Sequence, residues 1–296
     1  MKILMVGPSP KTRGGISSVI SAYKNSSLWK DYSITWISSY YDKNILLKIV
    51  YFFRGLFHFL YKLPGSDLIH IHLSEPISAL RKSIFFIIAK IFFKSVILHF
   101  HSFDSKTSID GRFKSVYRFL FSHAKYVIVL SPYWESEVKK YINNCLIKVI
   151  YNPSTNNIKF NFYKKEKIIL FAGTLNERKG YPILIEGFAY IAKKFPEWKI
   201  VFAGNGEIDN ARKLVINLHI ENQVEFLGWV YGDKKNEIFS KSMIFCLPSY
   251  AEGFPMAILD AFSFGLPVVS TKCGRIDLIL NEDKEILFFN IGNSLE

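Results

Sequence analysis

The sequence predicts an α/β protein built from two Rossmann-like domains in tandem, and three observations lead there. Six short apolar runs recur between helical stretches in the first half, a polar, asparagine-rich break follows Tyr151, and six further runs then repeat the pattern. The runs do not alternate apolar with polar residues. Strands buried on both faces read that way, so each sheet should be parallel with helices on both sides.

In the first domain, residues 1–155, the runs are KILMVG (2–7), YSITWI (32–37), DLIHIHL (67–73), SVILHFH (95–101), YVIVLS (126–131) and IKVIY (147–151). The stretch NPSTNNIKFNFYKKE (152–166) reads as the interdomain connection. The second domain, residues 156–296, carries KIILFAG (167–173), WKIVFAG (198–204), QVEFLG (223–228), SMIFCLPS (242–249), LPVVST (266–271) and EILFF (285–289). Helical stretches such as YPILIEGFAYIAKKF (181–195) separate them. Two such halves should leave a cleft between them, a usual place for a small-molecule site.

Composition narrows the class. A chain of 296 residues, 49% hydrophobic and 21% charged, packs as a globular protein and excludes disorder. Met1 leads straight into a strand that breaks at Gly7 and Pro8, so no secretory leader is expected. Cys145, Cys246 and Cys273 stand singly without metal or disulfide spacing, which suits a reducing cytoplasm. The apolar runs at 45–61 and 84–98 are cut by Lys48, Arg54, Lys90 and Lys94, short of the ~18 uninterrupted residues of a spanning helix. A soluble protein or one bound at a membrane surface is the expectation.

Residues 1–155 hold 21 Lys plus Arg against eight Asp plus Glu, which accounts for the whole formal charge of +13; the rest of the chain is neutral. Such asymmetry points to an anionic partner for the first half, a phosphorylated lipid at a membrane or a nucleic acid. No nucleic-acid module is recognised and the second half is neutral, so an anionic membrane is expected and nucleic acid is not. On a helical wheel, segment 45–62 sets Lys48, Arg54, Gly55, His58 and Lys62 on one side and apolar residues around the rest. That is the make-up of a helix lying in a membrane interface, or of one packed on a sheet with its lysines in water.

The strongest constellation begins at Glu252, between the run SMIFCLPS and a helix expected over roughly 256–264. Gly253, Phe254, Pro255 and Met256 lead into free backbone N–H groups at the helix start, a natural site for a diphosphate. Pro255 suits a first-turn position, where no donor is needed. Glu252 offers a carboxylate to sugar hydroxyls. Asp260, eight residues on, would lie about 12 Å along a helix axis, a spacing that suits a ligand with a hexose at one end and a ribose at the other.

The stretch EGFPMAILDAFSFGLPVVS (252–270) resembles the EGFGLPILEAMASGLPVI consensus of the family-4 glycosyltransferases, retaining enzymes of GT-B architecture in bacterial surface-polysaccharide synthesis. Other landmarks follow in order: KILMVGP with Gly14 and Gly15, DLIHIH, LHFHS, GTLNERKGYPILIEGF, IVFAGNGE and VEFLGWV. The resemblance implies that Glu252 holds the donor sugar, that Asp260 holds the ribose hydroxyls, and that Lys179 faces the donor diphosphate and stabilises the leaving group. Gly14, Gly15 and Gly204 would let backbone approach the donor, and His101 would stand at the reaction centre. Thr174 occupies the place of the family's arginine, and a hydroxyl cannot replace a guanidinium charge. Arg178 and Arg13 are the alternatives for supplying that charge, and Arg178 is also consistent with a solvated loop residue.

His70, His72 and His99 share strand faces with His101, but alternation brings that about by default and no acidic co-ligand accompanies them, so no metal is expected. The resemblance implies transfer of a sugar from a nucleotide diphosphate sugar, a UDP-sugar, to a lipid-linked or polysaccharide precursor at the cytoplasmic membrane face. The front-face path needs no enzymic nucleophile, metal or cofactor. Two alternatives stand beside it: a degenerate GT-B partner that binds donor without turnover, and a nucleotide-sugar epimerase. The chain stops at NIGNSLE, before the helices with which the family usually continues, so the second domain reads as incomplete.

Overall fold

The computed structural model describes residues 1–142, 144–154, 164–282 and 284–295. The chain divides into two compact units, Met1–Thr155 and Asn156–Glu296. Of the connection expected over 152–166, residues 155–163 lie outside the described residues.

The first unit runs β1 (Lys2–Gly7), α1 (Gly15–Lys24), α2 (Ser27–Asp31), β2 (Ser33–Ser38), α3 (Ile45–Lys62), β3 (Leu68–Leu73), α4 (Pro76–Ile91), β4 (Ser95–Phe100), α5 (Lys114–His123), β5 (Tyr126–Val129), α6 (Pro132–Tyr141) and β6 (Ile147–Val149). Its six strands are all parallel in the order β2-β1-β3-β4-β5-β6. The apolar runs form these strands because both sheet faces are covered: Leu4, Val6, Ile69, Ile71, Val96 and Leu98 are buried in one core on one face, and Ile3, Met5, His72 and His99 are buried on the other. Phe59, Phe85, Phe100, Phe121 and Trp134 fill that core from the helices and strand ends. Local chemistry sets helix starts. Asn44 caps α3 by accepting from the Leu47 N–H at 2.9 Å, and Ser131 caps α6, where Pro132 opens the first turn without a donor.

The second unit runs β7 (Ile168–Ala172), α7 (Tyr181–Ile191), β8 (Lys199–Ala203), α8 (Ile208–Asn217), β9 (Val224–Phe226), α9 (Gly232–Lys241), β10 (Ile244–Leu247), α10 (Met256–Ser263), β11 (Val268–Thr271) and β12 (Ile286–Phe289). Short 3₁₀ turns occupy Glu177–Lys179, Glu221–Gln223 and Cys273–Leu278. The sheet is again parallel, in the order β12-β11-β10-β7-β8-β9. Phe171, Phe202, Phe239 and Phe245 anchor its core.

Each sheet has a point where strand order reverses: between β1 and β3 in the first unit, and between β7 and β10 in the second. Loops leaving the carboxyl ends of such a strand pair diverge to opposite sides and leave a crevice, the usual ligand position in open α/β sheets.

All twelve expected strands form, most of them shorter than the apolar runs. The run SMIFCLPS ends as strand at Leu247, and the loop 248–255 separates it from α10, so the segment before that helix is loop and not strand. Pro255 is the residue before the helix, not one inside its first turn. Asp260 therefore stands only four residues into α10, about 6 Å of helical rise, rather than the 12 Å of an unbroken helix from Glu252. His101 lies just beyond β4. Segment 45–62 is one helix, but Gly55 faces inward: a Cβ there would lie 2.4 Å from the Ser38 carbonyl oxygen. Among the described residues no helix is long and apolar enough to cross a membrane.

Candidate functional site

In the second unit, the loops leaving β7 and β10 meet at the reversal point. The β7 loop tightens into the turn Glu177–Lys179, where the Asn176 side chain accepts from the Lys179 N–H at 3.0 Å. Gly180 follows in the left-handed region at φ 67°, and a Cβ on it would lie 1.9 Å from the Pro248 carbonyl oxygen. Only glycine lets the two loops come that close. The Tyr250 N–H then donates to the Arg178 carbonyl at 2.8 Å, tying the loops together.

This framework converges charges on Glu252. The Lys179 ammonium contacts Glu252 Oε1 directly, Arg178 Nη1 lies 3.6 Å from Oε2, and Ser249 Oγ donates to Oε1 at 2.8 Å. Arg178 also donates to the Ala251 carbonyl at 2.6 Å, so its guanidinium is directed to the Glu252 loop rather than loose in solvent. The carboxylate is buried, at 6% exposure. Burial alone would raise its pKa; the Lys179 and Arg178 charges and the hydrogen bonds from Lys179 and Ser249 outweigh burial and hold the carboxyl below its ordinary value. Glu252 is thus an anion at neutral pH, in contact with two cations.

The floor of this site is locked to β11. Thr271 Oγ1 donates to the Ser249 carbonyl, and Ser270 Oγ donates to the Leu247 carbonyl at 2.8 Å. Gly274, at φ 63°, passes so close that a Cβ would lie 2.3 Å from the Glu252 carbonyl oxygen. Burial, with the Glu252 charge beside it, pushes the Cys273 thiol up to about 12, so it stays protonated. An open depression of about 410 Å³ beside the cluster is lined by Glu177, Arg178, Pro182 and Tyr250.

Asp260 is buried on α10 and pairs with Lys235 of α9 at 2.7 Å. Gly253, Phe254 and Pro255 bridge Glu252 to α10, Met256 is the first helical residue, and no side chain caps the helix start. Thr174 sits partly buried just past β7. Gly204, at the end of β8, packs so tightly that a Cβ would lie 1.6 Å from the Gly173 carbonyl oxygen, and Leu175 bridges to Gly206 alongside.

In the first unit, Gly14 precedes α1 at φ 155° and Gly15 is its first residue; a Cβ on either meets nothing within 4 Å. His101 is placed by its N–H donating to the Leu73 carbonyl at 2.8 Å, and its Nε2 lies 3.0 Å from His72 Nδ1. Parallel register sets His72 beside His99, so His70, His72, His99 and His101 form a ladder of rings under Tyr23. Burial depresses all four, His70 to about 4 and His101 to about 3, with the neighbouring imidazoles adding to the effect on His72, His99 and His101 and Lys82 adding to it on His72 and His101. They are neutral imidazoles at neutral pH. Ring nitrogens of His70, His72 and His99 lie within 4.8 Å of one another, the one group among the described residues with the ligand types to hold a metal. Their rings are inclined to one another by 11–31°.

Sequence reasoning missed Ser249 and Lys235. Serine three residues before Glu252 is a local signal that could have been read, since a hydroxyl at that spacing reaches back to a loop carboxylate. Lys235 has no such signal, being brought to Asp260 from another helix.

Residues 154–293 match the family model "Glycosyl transferases group 1". An uncharacterized glycosyltransferase of Haemophilus influenzae is 34% identical over 163 residues, 53% of this chain and 44% of that protein. The Campylobacter jejuni GalNAc-alpha-(1->4)-GalNAc-alpha-(1->3)-diNAcBac-PP-undecaprenol alpha-1,4-N-acetyl-D-galactosaminyltransferase is 28% identical over 161 residues, 52% of this chain and 42% of that protein. The chain spans less than half the length of both relatives. Among solved structures, Anabaena HepE in complex with UDP and glucose superposes with a TM-score of 0.74 at 18% identity, covering 100% of this chain and 87% of that one. The chain thus matches the group 1 glycosyl transferases in sequence over residues 154–293 and has the GT-B glycosyltransferase fold.

Proposed function

We propose that the protein is a retaining glycosyltransferase that moves a sugar from a nucleotide diphosphate sugar, a UDP-sugar, to a lipid-linked or polysaccharide precursor on the cytoplasmic side of the membrane. The observation that carries this reading is the convergence of Lys179 and Arg178 on the buried Glu252 carboxylate at the strand-order reversal of the second unit. In this reading a donor diphosphate takes over the two cations, and its sugar hydroxyls donate to Glu252. Arg178 supplies the guanidinium that Thr174 does not. The uncapped start of α10 offers N–H groups to the same anion. Asp260, released from Lys235, takes the ribose hydroxyls. Gly14, Gly15, Gly204 and His101 keep the roles that the resemblance gives them.

As the bond from the sugar's anomeric carbon to the diphosphate breaks, the acceptor oxygen bonds to that carbon on the same face, and its proton passes to the departing phosphate oxygen. Lys179 and Arg178 stabilise the charge that develops on the leaving group, which is work a metal could otherwise do, so we read the reaction as independent of metal and cofactor. No nucleic acid is involved. The Campylobacter relative, whose name contains an undecaprenol-linked diphosphate, supports a lipid-linked acceptor, and HepE, crystallised with UDP and glucose, supports a UDP-sugar. A second reading, a partner that binds donor without turnover, is favoured by Thr174 and by the Lys235–Asp260 pair.

Calorimetric titration with UDP- and GDP-sugars, followed by transfer assays on undecaprenyl-diphosphate acceptors, tests both. Binding with transfer is expected, and Asp260→Asn should weaken UDP binding about tenfold, one charged hydrogen bond's worth. Binding without transfer to any acceptor supports the second reading. No binding of either nucleotide sugar refutes both.

A further inference from the structure

We propose that the outer face of α3 and α4 in the first unit is a membrane-docking surface that inserts apolar side chains among anionic lipids. The proposal goes beyond the transfer chemistry and does not rest on it.

The two helices lie side by side, with Phe52 and Phe59 of α3 meeting Phe85 of α4 at ring distances of 5.9 and 5.2 Å. A helix packed on a sheet usually presents polar residues to water on its other side. These two do not. On α3 the exposed stripe is Leu46, Ile49, Val50, Phe53, Phe57 and Leu60, with Phe53 at 51% and Phe57 at 69% exposure. On α4 it is Ile77, Leu80, Ile84, Ile87 and Ile91, all within one narrow sector of the helix, opposite the buried Ala79, Phe85, Phe86 and Ala89. Phe119 of α5 is exposed beside them and packs on Phe86 at 6.1 Å. Contiguous apolar surface of this kind marks an interaction site.

Phe93 adds an independent sign. It follows α4 in the left-handed region at φ 55°, where its N–H donates to the Lys90 carbonyl and the Lys94 N–H to the Ala89 carbonyl, both at 2.9 Å. That is a helix-ending geometry that favours glycine, yet a phenylalanine stands there, 97% exposed. Neither folding nor packing is served by that ring.

Charge selects the occupant. Neither helix contains an Asp or Glu, whereas α3 carries Lys48, Arg54 and Lys62 and α4 carries Lys90; Lys82 of α4 is buried and Arg81 partly so, and they add nothing to the outer face. Arg54, Lys62 and Lys90 are exposed, Arg54 at the border of the α3 stripe and Lys62 and Lys90 at the C-terminal ends of the two helices. A second copy seated on this face by two-fold symmetry would set like charges against each other, whereas anionic headgroups meet them with the opposite sign.

Co-sedimentation with vesicles of POPC containing one quarter POPG, against pure POPC, without nucleotide sugar, tests the idea. The protein should partition to the anionic vesicles, and about fivefold less well for each of Arg54→Gln and Lys62→Gln. Phe53→Ser with Phe57→Ser should lower partitioning at least about tenfold. Phe93→Gly should weaken it too while melting at the same temperature or higher, which separates lipid contact from folding. Failure to sediment with anionic vesicles, or variants that sediment like the parent, overturns the proposal. So does light scattering that finds a dimer which the double variant dissociates. Loss of the transferase reading leaves every one of these outcomes unaffected.

Discussion

Replacing Lys179 with methionine keeps the aliphatic stem but removes the ammonium that contacts Glu252. The carboxylate, with its side chain 8% exposed, then keeps only Arg178 at 3.6 Å and the Ser249 hydroxyl at 2.8 Å. Breaking a buried ion pair at one partner costs about 3–5 kcal/mol, and Arg178 holds the loss near the lower end, about 3 kcal/mol. For a unit of this size that is about 9 °C in melting temperature. The pH dependence gives the sharper test. In the parent the Glu252 carboxyl sits below its ordinary 4.5, so its contribution is present above that value and lost as pH falls through the folded pKa. In the variant burial dominates and raises the carboxyl, so the folded state binds a proton that the unfolded chain does not. The variant therefore recovers stability as pH falls from 7.5 towards 5, and the gap to the parent narrows. Scanning calorimetry of both proteins at pH 7.5 and 5.5 measures this, with Lys179→Arg expected to lose much less. A shift below about 2 °C at pH 7.5, or an equal shift at both pH values, refutes the reasoning.

Two further outcomes follow from the geometry. Gly204→Ala should destabilise the second unit by about 3 kcal/mol or more, because its Cβ would lie 1.6 Å from the Gly173 carbonyl oxygen and backbone must move; an unchanged melting temperature would contradict this. His70, His72, His99 and His101 should show no imidazole titration by NMR between pH 5 and 8, since burial depresses every one of them. Unfolding exposes groups that protonate near 6.5, so stability falls as pH drops below that value, by up to about 1.4 kcal/mol per pH unit per histidine. A ring of the four titrating near 6.5 in the folded protein refutes their burial.

The sequence by itself determined the two parallel sheets and the Glu252 segment. Non-alternating runs such as KILMVG and KIILFAG have one stable use, as strands covered on both faces; the close backbone approaches at Gly180, Gly204 and Gly274 became visible only in the structure. Strand ends were less legible, since Ser249 and His101 continue an apolar run in sequence but leave the ladder in space. Only tertiary structure decided which charges meet. Lys179 and Arg178 reach Glu252 because β7 and β10 are neighbours across the strand-order reversal, although Lys179 and Glu252 are 73 residues apart in sequence. Lys235 reaches Asp260 by helix packing that no local pattern encodes. The same holds for α3 and α4. An apolar wheel shows that a helix has apolar surface, but which part is buried depends on where its neighbours stand, and here Phe59 and Phe85 turn inward while Phe57 and Ile84 are left facing out.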